Sequence, residues 1–135
     1  MILYRPVGTK ELVLIAASDF TAFPPRLPVQ PIFYPVLNFA YAEQIARDWN
    51  TKDAASGFAG FVTKFELEPV YASRYEVQIV GAKQHQELWI PAEELATFNH
   101  HLIGRIQVVA AYYGEAFRLE ENRELLAQLN LSSAA

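Results

Sequence analysis

The chain contains no cysteine. Disulfides, thiolate nucleophiles and cysteine-based metal sites are therefore excluded. Histidine is scarce, with three in 135 residues. His100 and His101 are adjacent, so on a helix they point roughly 100° apart and do not share a metal easily. With His85 they read as ordinary surface histidines, and no metal site is expected. Basic excess is also missing: the net charge is −4. A general nucleic-acid surface needs clustered Lys and Arg, and none is expected here. No uncharged run reaches the ~20 residues of a membrane span. The start, MILYRPVG, has Arg5 and no long apolar stretch, so no signal peptide is read. The expected location is cytoplasmic, with no membrane partner.

What is present is a folded composition. Hydrophobic residues make up 52% of the chain and charged residues 19%, which suits one globular core and not whole-chain disorder. The order of elements predicts an α+β domain with a mixed or antiparallel sheet over residues 1–114, followed by a C-terminal helical tail over 115–135. Ile2–Arg5 reads as a first strand, halted by Pro6. Leu12, Ile15 and Ala16 share a face of a first helix that Asp19 closes. Thr21–Phe23 reads as a short edge strand, and Ile32–Leu37 as another. Asn38 is a good N-cap. Behind it Phe39, Ala42, Ile45, Ala46 and Trp49 recur at helical spacing and are expected to face the core. Phe58–Leu67, Glu76–Val80 and Gln86–Ile90 read as strands, Pro91–His100 as a helix, and Arg105–Tyr113 as a strand central in the sheet. In the tail Leu125, Leu126, Leu129 and Leu131 form one apolar edge. It serves either a homodimer or partner contact, or docking on the same domain; the frayed end is SSAA.

Phe23–Asn38, FPPRLPVQPIFYPVLN, is the most informative stretch. Its five prolines remove five N–H donors, yet Phe33, Tyr34, Val36 and Leu37 favour burial. Such a segment reads as the rigid wall of a pocket. Arg26 inside it is either a clamp on a partner or a tie to backbone. Tyr4 and Arg5 end the first strand, where Arg5 is suited to a phosphate or carboxylate or else to structural bonds. Tyr34 and Tyr41 flank the start of the second helix, free to stack on a planar ring or to cap the core. In QHQELWIP, strand alternation puts His85, Glu87 and Trp89 on one face. A carboxylate between an imidazole and an indole is unusual for a core. The plain alternative is a half-exposed strand face.

No dinucleotide-binding, phosphate-loop, serine-hydrolase or zinc-protease signature occurs. Three blocks do resemble a family: LYRPVGTKEL at 3–12, FPPRLPVQPIFYPVLN…YAEQIARDWN at 23–50, and QHQELWIPAEEL at 84–95. They resemble small bacterial proteins labelled "ADP-ribosylation/crystallin J1", and the layout looks like a pared-down ADP-ribosyltransferase. The resemblance covers residues 2–114. It implies NAD as a substrate or a bound ADP-ribosyl group, hence a small nucleotide ligand. It implies Glu87 as the catalytic acid against the nicotinamide ribose. Arg5 or Tyr4 would take the first-strand position, and Tyr34 or Tyr41 would stack on nicotinamide, with His85 and Trp89 beside them. The first strand carries no His, and no Ser-Thr-Ser element is present, Val62-Thr63-Lys64 being the nearest strand. A non-enzymatic small-ligand or protein-binding module on the same fold is the alternative.

Overall fold

A computed structural model describes residues 1–129. The first strand, β1 (Ile2–Val7), alternates as its sequence demands: Leu3, Arg5 and Val7 are buried, and Ile2, Tyr4 and Pro6 less so. It runs antiparallel to β3 (Ala59–Leu67), with Ile2 opposite Glu66 and Val7 opposite Phe61. β3 in turn runs antiparallel to β7 (Leu102–Tyr113), with register shifts at Val62/Thr63 and Lys64/Glu66. The strand order is β1-β3-β7, so β3 is central and the long apolar β7 is lateral. The expectation of a central β7 fails for a physical reason. Val108 and Val109 are both buried because both faces of the strand are covered, not because both edges are paired. A loop reaches its outer edge, where Ile106 N–H donates to the Phe20 carbonyl at 2.7 Å.

Helix α2 (Phe39–Asp48) covers one face. Asn38 caps it, its side-chain oxygen accepting the Tyr41 N–H at 2.7 Å. Ala42 and Ala46 are fully buried against Val36, Val62 and Val109. Trp49 departs from the expected core stripe: it is 61% exposed, at the end of the helix. The small alanines let the helix backbone lie close to β3. A Cβ at Gly60 would stand 2.7 Å from the Ala46 Cα and closer still to its carbonyl oxygen.

The larger core fills the other face. It gathers Leu3 and Val7 of β1, Leu12 and Ile15 of α1 (Thr9–Ala17), Phe23, Phe33 and the β3 side chains Phe61, Phe65 and Leu67. Tyr71 and Ala72 of α3 (Pro69–Ala72) and Leu95 and Phe98 of α4 (Leu95–His100) complete it. The Phe23 backbone exchanges two hydrogen bonds of 2.9 Å with the Asn99 side chain, and Ser18 Oγ accepts from the Thr21 and Ala22 N–H groups. Side chains thus satisfy 21–23, which forms no strand.

Two short antiparallel pairs complete the architecture, β2 (Ile32–Phe33) with β6 (Ile90–Pro91) and β4 (Gln78–Ile79) with β5 (Gln86–Glu87). The expected single strand Gln86–Ile90 is therefore two strands with different partners. Pro31 and Pro35 accept from Ala92 and Leu88 through their carbonyls but have no N–H to return, so the ladder along 31–37 is broken. Pro91 pairs with Ile32; a tight turn at Ala92–Glu94 precedes α4. At the C-terminal side, α5 (Arg123–Ala127) buries Leu125 in the larger core, with Leu126 and Leu129 packed beside it. Leu125, Leu126 and Leu129 thus pack on the same domain, the last two only partly buried; Leu131 and the SSAA end lie outside the described residues. The chain is an α+β domain with antiparallel sheets, and among the described residues no helix is long and apolar enough to cross a membrane.

Candidate functional site

The site begins with an interrupted ladder. Val36 bridges Tyr4 on one side and Glu87 on the other. Tyr4 donates its N–H to the Val36 carbonyl at 2.9 Å, and its carbonyl accepts the Val36 N–H at 2.7 Å. Backbone groups alternate along a strand, so Pro6 presents the same edge as Tyr4. Pro6 has no N–H to present, and the pairing stops. A cleft of about 920 Å³ lies there, with Pro6, Tyr34 and Val36 among its lining. That volume is at the upper end of the range for small-molecule sites.

Directly opposed residues on neighbouring strands leave the sheet on one side. Tyr4, Val36 and Glu87 therefore share the α2 face, and Arg5 leaves the other. The cleft reaches both faces where the ladder stops, and Arg5, Tyr34, Tyr41, Glu87 and Trp89 all line it. Tyr4 and His85 stand behind the wall. Tyr4 meets Phe39 edge-on at 6.1 Å, and His85 stacks on Tyr41 at 4.4 Å with the rings 14° apart.

Glu87 is 8% exposed and each of its oxygens has a donor. Tyr41 donates its hydroxyl to Oε2 at 3.0 Å, and Trp89 donates Nε1–H to Oε1 at 2.8 Å. Burial first, then this hydrogen bond, pushes the Tyr41 hydroxyl up to about 12. Trp89 also meets Tyr34 edge-on, with ring centroids 6.5 Å apart. Tyr34 and Trp89 remain 41% and 45% exposed, so both offer aromatic surface to the cleft. A carboxylate retains lone pairs beyond the two in use. The arrangement can hold a cationic or electron-poor planar group between aromatic surfaces and a fixed negative charge.

On the other face Arg5 forks onto Glu11, Nε to Oε2 at 2.7 Å and Nη2 to Oε1 at 2.9 Å. Its Nη1 donates to the Tyr34 carbonyl at 3.4 Å, and the guanidinium carbon lies 4.5 Å from the Phe33 ring centre. Arg26 approaches the same carboxylate, 3.9 Å from Glu11 Oε1. Glu11 carried no signal in the sequence, because nothing in helical spacing joins it to Arg5 across a turn. Arg26 did carry one: it is the single charged residue between Asp19 and Glu43. Trp49 lines the cleft instead of the core. Among the described residues no group of three or more His, Asp or Glu side chains could hold a metal.

Comparison with known proteins gives no family. No family model, curated protein or solved structure matches the chain. The functional reading therefore stands on the cleft and on the residues quoted above.

Proposed function

We propose that this protein binds NAD or an ADP-ribosyl group in the cleft at the broken edge of β1, as an ADP-ribosyltransferase-like protein. The observation that carries the reading is Glu87, a buried carboxylate fixed by Tyr41 and Trp89 on the wall of a cleft that also exposes aromatic surface and reaches Arg5. Nicotinamide in NAD is a planar cation, which suits a carboxylate flanked by aromatic rings. Breaking its N-glycosidic bond sends the electron pair to the nicotinamide and builds positive charge on the ribose. A preorganised carboxylate stabilises that charge where it develops. A cytoplasmic setting belongs to the same proposal and places the cleft among free nucleotides.

A second reading is a binding module that performs no transfer. Both Glu87 oxygens are already engaged by its own neighbours, which fits a structural wall as well as a reacting acid. Calorimetry and NMR with NAD, ADP-ribose and nicotinamide test the shared claim. Binding of NAD or ADP-ribose is expected, and the lack of any binding at millimolar concentration rejects it. Nicotinamide release on prolonged incubation then separates the two readings. For an enzyme, Glu87→Gln should lower turnover about 10²-fold or more with little change in affinity, as when a group acts on the transition state.

A further inference from the structure

One carboxylate serves two guanidiniums on the Arg5 side of the cleft. Arg5 takes Glu11 in a fork, and Arg26 is left at 3.9 Å, beyond hydrogen-bond reach. Arg26 Nε is buried and has no hydrogen-bond partner among the described residues. Its side chain is only 12% exposed, so water does not replace the missing partner freely. Burial first, then the like charge of Arg5, holds its pKa below the ordinary arginine value. Arg5, Arg26 and Glu11 sum to one positive charge, while Lys10, Asp53 and Glu87 elsewhere on the cleft lining sum to one negative charge, so the surplus is local to the two guanidiniums. The loop does not let Arg26 escape easily: Pro24, Pro25 and Pro28 restrict its backbone. Both guanidiniums also sit near the Phe33 ring, at 4.5 and 5.9 Å from its centre.

We infer that Arg26 and Arg5 form a binding seat for a phosphoryl group, for which Glu11 is the internal competitor. The fork of a guanidinium matches two oxygens of an oxyanion, and Glu11, already forked onto Arg5, leaves Arg26 at 3.9 Å without that match. Phosphoryl is the class chosen by the number of acceptors. Two guanidiniums converge on one site, and a phosphoryl group offers at least three oxygens to them where a carboxylate offers two. The inference deepens the nucleotide reading and rests on it for the rest of the ligand, but the seat itself is testable without a nucleotide.

The probe is inorganic pyrophosphate, with succinate as the carboxylate control, measured by calorimetry and thermal melting on the full chain. Pyrophosphate is expected to bind and raise the melting temperature, and succinate to do neither. Equal effects of the two overturn the phosphoryl assignment. In the wild type, the Arg26 Nε–H resonance should shift with pyrophosphate; an unmoved resonance overturns the seat even if every variant misfolds. Arg26→Gln should weaken pyrophosphate about tenfold or more, the scale of one charge-assisted hydrogen bond, and Arg26→Lys should recover part of the loss. Unchanged affinity in Arg26→Gln overturns the inference. Glu11→Gln should lower the melting temperature, tighten pyrophosphate, and show a larger pyrophosphate rescue than the wild type. Weaker binding in that variant overturns Glu11 as a competitor. If pyrophosphate binds at Arg26 and NAD and ADP-ribose do not bind, the seat stands and the nucleotide reading fails. If NAD binds with no dependence on Arg26, the reverse holds.

Discussion

The Tyr41 hydroxyl donates to Glu87 Oε2 across 3.0 Å, joining helix α2 to strand β5 over 46 positions of sequence. One bond therefore fixes the helix against the strand and the carboxylate against the cleft. Removing it should loosen the wall before it unfolds the domain, because Ala42 and Ala46 still hold the helix on the sheet.

The tyrosine network makes stability sensitive to alkali. Tyr41 and Tyr112 are each pushed up to about 12 from an ordinary 10.0, chiefly by burial and then by Glu87 and Glu43 respectively. In the window between those values the unfolded chain has lost protons that the folded chain keeps. Stability is thus fully held below about pH 10 and falls as pH rises toward 12. Urea midpoints measured from about pH 9 upward should decline, and Tyr41→Phe should flatten part of that decline. A parallel decline in wild type and variant would remove Tyr41 from the account.

Both tryptophans of the chain, Trp49 and Trp89, line the cleft. Ligand binding should therefore change intrinsic fluorescence with no label. Trp49→Phe and Trp89→Phe divide the signal, and Trp89 should carry the larger share because its Nε1–H is fixed to Glu87. Trp49→Ala should shift stability by no more than about 0.5 kcal/mol, as expected of an exposed side chain. A ligand that binds by calorimetry and leaves both emissions unchanged would sit outside this cleft.

Gly60→Ala tests the close approach of α2 to β3. The added methyl meets Ala46 backbone, not the end of a flexible side chain. A loss of roughly 1–3 kcal/mol in a denaturant melt is expected, the range for overpacking a tight contact. A neutral result would mean that the helix sits further from the sheet than described.

Leu125→Ala tests the docking of the C-terminal segment. Leu125 is 6% exposed within the larger core, so its truncation should cost about 2–4 kcal/mol by lost burial and cavity formation. If the leucine face instead serves a dimer, the same variant should alter mass in solution and spare monomer stability.

The parts of the fold that sequence patterns reveal are those with a local cause. Asn38 and the spacing of Phe39, Ala42 and Ala46 mark α2, because capping and helical period act within a dozen residues. Trp49 was misread for the same reason. It continues the period, but periodicity cannot say that the helix stops at Asp48 and leaves Trp49 at its C-cap, facing the cleft. The position of β7 was hidden because an apolar run reports covered faces, whereas strand order depends on edges. At the site, Glu87 beside Trp89 follows from alternation. Its bond to Tyr41 and the Glu11–Arg26 approach depend on how distant segments fold back, and no short-range pattern records that.

Pro6 has a kinetic consequence. The gap between β1 and Tyr34 is made by a hydrogen bond that the chain has no atom to form. A ligand entering there breaks no ladder, so binding should need no slow opening step beforehand. Observed association rates in stopped flow should then climb in proportion to ligand concentration without levelling off.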